Sequence, residues 1–244
     1  MELYLIRHGQ STNNAQGTAQ HNRVRDAALT ETGQRQAAAL AAYLAAGRRR
    51  EIAVRYYPDT YRQEGHLGEG IARVYCSAML RALQTAQPVG AALGIAPEVW
   101  VDIHEHGGVY EEDGSGQRVG APGLTRAEIA AQFPGYTLPD AVTEHGWYNR
   151  PYETHAACQG RAIAVAGALR AWAAEKTAPP SALISHGTFL DSLLKALLGA
   201  LPGSSHFYFH YNTGITRLTL LADGRLGVHY LNRTAHLPDD LLTA

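Results

Sequence analysis

Cysteine is scarce in this chain. Cys76 and Cys158 are the only two among 244 residues, and neither lies in a C-x-x-C pattern, which excludes a disulfide framework and a cysteine-pair zinc site. An excess of charge of one sign is also missing, because 21 Lys and Arg face 22 Asp and Glu for a formal net charge of -1. Such a chain has no global field for nucleic acid or for an anionic membrane. No apolar stretch is long enough to span a bilayer, and there is no internal repeat, low-complexity tract or H-E-x-x-H. The 45% hydrophobic content suffices for a full core, so the expectation is one α/β domain over 1–244 carrying insertions.

The first apolar run, Leu3-Tyr4-Leu5-Ile6, ends in Arg7-His8-Gly9-Gln10. An imidazole beside a guanidinium at a strand end suits a phosphoryl group. The guanidinium is a forked donor that matches phosphate oxygens, and a neutral imidazole attacks phosphorus while its other nitrogen is held by a backbone acceptor. A second apolar run, Leu183-Ile184-Ser185-His186-Gly187, ends in the same way. Two such strands side by side bring both imidazoles to one rim of a sheet, where open α/β sheets bind ligands. Arg81 follows the strand Val74-Tyr75-Cys76 in the first turn of a helix, and so reaches that rim as well.

Strand and helix patterns alternate along the chain. Thr30 reads as the N-cap of an Ala-rich helix from about 31 to 46, stopped by Gly47. The pattern continues with a strand over 73–77, a helix over 79–93 ended by Gly94, and a strand over 98–103. A helix over 154–175, a strand over 182–186 and a helix over 188–198 follow. Segments 206–211, 214–222 and 226–231 read as strands, the last two joined through Ala222-Asp223-Gly224 as a hairpin. Two stretches interrupt the order. Residues 48–70 form an irregular insert carrying Arg48-Arg49-Arg50, read as a flap, and residues 107–150, rich in Gly, Pro and aromatics, are read as a lid with a capping box at Thr125-Arg126-Ala127-Glu128.

The Arg-His-Gly at 7 to 9 with Ser11 and Asn14, the Leu29-Thr30-x-x-Gly33-x-x-Gln36-Ala37 helix start, the Ser77 to Ala86 segment and Ser185-His186-Gly187 together resemble the histidine phosphatase superfamily, the phosphoglycerate mutase-like proteins. The resemblance implies a three-layer α/β/α sandwich with a mostly parallel sheet, a C-terminal antiparallel hairpin and an inserted lid. It implies His8 as a nucleophile that forms a phosphohistidine, with Arg7, Arg81 and His186 around the transferring group and Asn14 helping to hold the phosphate. It also places a glutamate shortly after the third strand as proton donor, and Glu105 in Asp102-Ile103-His104-Glu105-His106-Gly107-Gly108 matches best. Asp102 and, behind it, Glu111 stay open as rivals, because the glycine spacing departs from the family pattern. An acid working near neutral pH must have its pKa raised by burial or by a nearby negative charge.

His104 and His106 flank Glu105. If that stretch is extended, period two sends both imidazoles to one face and Glu105 to the other, so the three do not converge on a metal. No metal and no cofactor is expected. Tyr110, Phe133, Tyr136, Trp147, Tyr148 and Tyr152, with Arg118, Arg126 and Arg150, are candidates either for a pocket lining or for the lid's own small core. The lid lacks the basic segment by which a phosphoglycerate mutase holds its substrate, so hydrolysis of a phosphomonoester is favoured over mutase-type transfer. A non-catalytic phosphate-binding module ranks behind both, because the set of four is complete. The expected partner is a small phosphorylated metabolite, with no nucleic acid and no membrane, and a homodimer stays open as the assembly. Met1 leads straight into the first strand, from which a cytoplasmic location is expected. Asn232-Arg233-Thr234 fits a glycosylation pattern and is read as coincidence in that setting.

Overall fold

The structure, a computed structural model, describes residues 1–17, 23–49, 66–67, 70–175, 178–201 and 205–244. In chain order its elements begin with β1 (Glu2–Arg7), a one-turn helix α1 (Thr12–Ala15), α2 (Glu31–Ala46), and the antiparallel pair β2 (Arg48–Arg49) and β3 (His66–Leu67). They continue through β4 (Arg73–Cys76), α3 (Leu80–Leu93), β5 (Glu98–Val99) and a 3-10 turn at Val101–Ile103. The antiparallel pair β6 (Tyr110–Glu112) and β7 (Arg118–Gly120) precedes α4 (Arg126–Gln132). Then come α5 (His155–Ala174), β8 (Ser181–Ser185), α6 (Gly187–Leu197), β9 (Ile215–Leu220) and β10 (Leu226–Arg233).

Six strands form one sheet in the order β10-β9-β1-β8-β4-β5. β1, β8, β4 and β5 run parallel, while β9 pairs antiparallel with both β1 and β10. Helices cover both faces, so the central strands are buried at nearly every position rather than at alternate ones. Within β1 the pleat divides the side chains. Tyr4 and Ile6 join Leu40, Leu44, Leu83 and Val89 on the face covered by α2 and α3. Leu3 and Leu5 join Leu169, Phe189, Leu193 and Leu218 on the face covered by α5 and α6. This is the expected α/β architecture, with the mostly parallel sheet and the C-terminal hairpin. Among the described residues no helix is long and apolar enough to cross a membrane.

The local signals work as their chemistry requires. Thr30 accepts from the Gly33 amide at the start of α2, and Thr125 and Glu128 complete a reciprocal capping box on α4. Gly94 ends α3 in the left-handed region at φ 68°. Gly33 has a different task. A Cβ there would lie 2.1 Å from the Gln10 carbonyl oxygen, so its bare backbone lets α2 press against the loop that carries His8.

Two expectations need correction. The strand over 98–103 is short: Trp100 still bonds the Cys76 carbonyl, but the chain then tightens into the 3-10 turn, which redirects residues 104 and 105 towards the rim. Residues 206–211 are not a strand. Their backbone groups are taken by side chains, with the Tyr208 amide donating to Asp191 Oδ1, the Tyr211 amide to Asn232 Oδ1, and the His210 carbonyl accepting from Arg7. The polar stretch after β1 also contains more structure than a loop, since Ser11 and Asn14 cap α1 reciprocally. Apart from β2, β3 and Gly70, the 48–70 insert lies outside the described residues, and so does its reading as a flap.

Candidate active site

β1 and β8 are neighbours in register, with Arg7 opposite Ser185, and the His8 amide donates to the Ser185 carbonyl at 2.9 Å. One step past the sheet edge, His8 and His186 therefore face each other with ring centroids 5.0 Å apart. Both are buried, at 3% and 0% exposure. His8 Nδ1 meets the Gly9 carbonyl at 2.6 Å, which assigns the proton to Nδ1 and leaves a lone pair on Nε2. Burial first, then Arg81 and Arg7, holds the His8 imidazole well below the usual histidine range. Burial and Arg81 do the same to His186. Both rings are neutral.

Arg81 arrives from the first turn of α3 and donates Nε to His8 Nε2 at 3.0 Å. Asp26, 3.9 Å from Arg81 Nη1, also accepts from the Leu80 amide at 3.0 Å, which ties that carboxylate to the start of α3. Arg7 anchors Nη1 on the His210 carbonyl at 2.5 Å and keeps Nε unpartnered. Burial, offset in part by Glu105, pulls its pKa down to about 10, so it stays a cation at neutral pH. His186 makes no hydrogen bond at either ring nitrogen. Buried donors without partners are rare. Here Arg7 Nε and the His186 ring, both without partners, belong to residues at the same strand ends as His8.

The structure brings Glu105 to this rim. Its Oε1 accepts from the amides of His106 at 2.8 Å and Phe189 at 3.0 Å, and Oε2 accepts from Thr188 at 3.2 Å. The carboxylate thus sits on the N-terminus of α6, one residue beyond His186 and Gly187. The rivals are elsewhere: Glu111 pairs with Arg25 on the surface at 3.1 Å, and Asp102 contributes its backbone carbonyl to Arg161. Asn14 turns its Oδ1 inward to Ser11 and lines the same cavity as Arg7 and Glu105.

Three supporting residues carried no sequence signal strong enough to mark them. Asn212 is fully buried and donates Nδ2 to the His8 carbonyl at 3.0 Å. Thr85 accepts the Gly9 amide at 3.0 Å. Arg161, on α5, donates to the carbonyls of Asp102 and His104 at 2.7 and 2.9 Å while holding Glu153 with two hydrogen bonds. It fixes the backbone that presents Glu105. Each acts on backbone groups of a distant segment, which no local motif reveals.

The flanking histidines separate. His104 packs against Trp147 and Tyr148, and His106 stacks on His155 at 3.9 Å. Among the described residues no group of three His, Cys, Asp or Glu is placed to hold a metal ion. The aromatics of 107–150 do not form a core of their own: Phe133, Trp147 and Tyr148 are buried in the cluster that includes Tyr4, Ile6, Leu40 and Leu83, and Tyr136 donates to the Leu83 carbonyl. Arg126 is spent on the carbonyls of Leu138, Pro139 and Val142, and Arg118 on Tyr152 and Glu112.

The model of the histidine phosphatase superfamily (branch 1) matches residues 3–58 and 64–233. The chain belongs to the histidine phosphatase superfamily. Solved structures similar to this chain include a mycobacterial glucosyl-3-phosphoglycerate phosphatase determined with VO3, at 24% identity and TM-score 0.57, covering 96% of this chain and 99% of that one. A phosphoserine phosphatase from Entamoeba histolytica, determined with 3-phosphoglyceric acid, is similar at 20% identity and TM-score 0.58, covering 97% and 99%. Both share its fold. No curated protein matches it in sequence.

Proposed function

We propose that the protein is a metal-independent phosphatase that hydrolyses a small phosphomonoester through a phosphohistidine at His8. The observation that carries this reading is a neutral His8 whose ring lies 5.0 Å from that of a His186 without a hydrogen-bond partner, on the rim where Arg7 keeps an unpartnered Nε. A phosphomonoester dianion repels nucleophiles, so its cleavage needs positive charge on the nonbridging oxygens, an in-line nucleophile and a proton for the departing alkoxide. The substrate's oxygens displace the Arg81 guanidinium from His8 Nε2 and take its donors, together with those of Arg7, His186 and Asn14. His8 Nε2 forms the N–P bond as the P–O bond to the leaving group breaks, and the alkoxide takes a proton from Glu105. Water then attacks phosphorus, returns a proton to Glu105 and releases inorganic phosphate from His8. The names of the two similar structures, both phosphatases, support this class of reaction. Arg126 of the 107–150 segment is taken up by the carbonyls of Leu138, Pro139 and Val142, which removes that cation from a second anionic subsite of the mutase kind.

The test is release of nitrophenol from its phosphate ester in EDTA, with His8→Ala as control. We expect turnover by the native protein and a loss of at least about a thousandfold in the variant. Equal turnover by both would remove His8 from the mechanism, and turnover only after added metal would contradict a metal-free reaction. 3-Phosphoglycerate, with and without 2,3-bisphosphoglycerate, separates hydrolysis from mutase chemistry. Efficient formation of 2-phosphoglycerate would overturn the phosphatase reading.

A further inference from the structure

Resting on that reading, we propose that residues 207–211 form the leaving-group subsite, and that it selects phosphomonoesters of uncharged alcohols bearing an aromatic or broad apolar face. The cavity of about 380 Å³ that contains Arg7, Asn14 and Glu105 is continued outward by Phe207, Phe209 and His210. A single exposed phenylalanine means little. Here two meet edge to face at 5.3 Å, 47% and 75% exposed, on the wall of the cavity that holds the proposed acid.

The segment is held rigidly. Asp191, in a buried pair with Lys195 at 2.7 Å, accepts the Tyr208 amide, and Lys195 Nζ lies 5.6 Å from the Phe207 ring. Arg7 and Asn232 fix the next two steps. Tyr208 and His210 are thus the more buried residues of the segment, and Phe207 and Phe209 the more exposed. His210 is 4% exposed, lines the cavity, and has no partner at either ring nitrogen. Burial, with Arg7 beside it, holds its pKa down to about 4, so it offers one donor and one acceptor but no charge.

Charge decides the class of alcohol. Arg7 is the sole cation among the described residues of the lining, and it is directed at the phosphoryl group. A carboxylate on the leaving group would meet Glu105 instead of a partner. An uncharged group that stacks on Phe207 and Phe209, with a hydroxyl or ether within reach of His210, matches every wall.

The test compares kcat/KM for 3-phenylpropyl phosphate, propyl phosphate and 3-phosphoglycerate. The first two release alcohols of similar acidity, so their ratio isolates the subsite. We expect the phenyl substrate to be preferred about tenfold, mainly through KM, and the ratio to fall to near one in F207A/F209A. Because the ratio is read within each protein, partial misfolding cancels. His210→Phe should erase a preference for 3-phenoxy-2-hydroxypropyl over 3-phenoxypropyl phosphate. The subsite is overturned if the native enzyme shows no phenyl preference, if the double variant keeps it, if His210→Phe keeps the hydroxyl preference, or if 3-phosphoglycerate is the best of the three. It is also overturned if sedimentation shows self-association that F207A/F209A abolishes while the substrate ratio stays the same, for then the face belongs to a second copy of the chain. Calorimetric binding of the three esters to His8→Ala keeps the two readings apart. The same preference in binding without any native turnover counts against the phosphatase reading alone, and equal affinity for all three counts against the subsite.

Discussion

At the scale of single residues, the site rests on where protons and orphan donors lie. In the proposed reaction Glu105 protonates the departing alkoxide, and nitrophenolate needs far less help than an alkoxide. Glu105→Gln is therefore expected to slow an alkyl phosphate about a hundredfold or more and nitrophenyl phosphate much less. Equal losses in steady-state assays would give Glu105 another role. Arg161 lies one layer further out. Arg161→Met leaves the buried Glu153 carboxylate without its cation and frees the carbonyls of Asp102 and His104, so a loss of about 3 kcal/mol or more is expected in denaturant melts. A loss below about 1 kcal/mol would mean that the pair contributes little. His8, Arg7, Arg81 and His186 were legible because each stands at a fixed offset from a strand or helix end. Arg161, Asn212 and His210 were not, since they act on the backbone of segments far away in sequence or on a cavity that exists only in the fold.

At the scale of elements, close approach between α2 and the loop after β1 sets the position of His8. Gly33→Ala would drive a methyl group into the Gln10 carbonyl, which is backbone and cannot swing aside. We expect a fall in Tm of several degrees and a drop in kcat, because Gln10 is two residues from His8. An unchanged melt with unchanged kcat would show that α2 moves freely. The helix caps and the central strands could be read locally, through side-chain caps and continuous apolar runs. Residues 206–211 could not. Alternating aromatics fit a strand as well as they fit an extended segment pinned by Asp191, Arg7 and Asn232, and periodicity does not say which partner takes the amides.

At the scale of the whole molecule, buried neutral histidines couple stability to pH. His8 and His186 lie well below the ordinary histidine value, His104 is held at about 3 and His210 at about 4, with burial the leading cause in each. The unfolded chain binds a proton at each of these near pH ~6.5, and the folded chain does not until far lower. Stability is thus complete above about pH 6.5 and is lost as the pH falls towards the folded values, by up to about 1.4 kcal/mol per pH unit for each histidine. Thermal melts between pH 7.5 and 5 should show Tm falling throughout the lower part of that range, and a flat or rising Tm would contradict the burial of neutral imidazoles.

The pairing of β1 with β8 has a kinetic corollary. His8 and His186 become neighbours only when the first strand of the chain has docked beside one of its last, after everything between them has been ordered enough to let the two ends meet. Such long loop closure is slow compared with local helix formation. On dilution from denaturant, helical signal should return well before the ability to cleave a phosphate ester, and the regain of turnover should follow the slowest refolding phase.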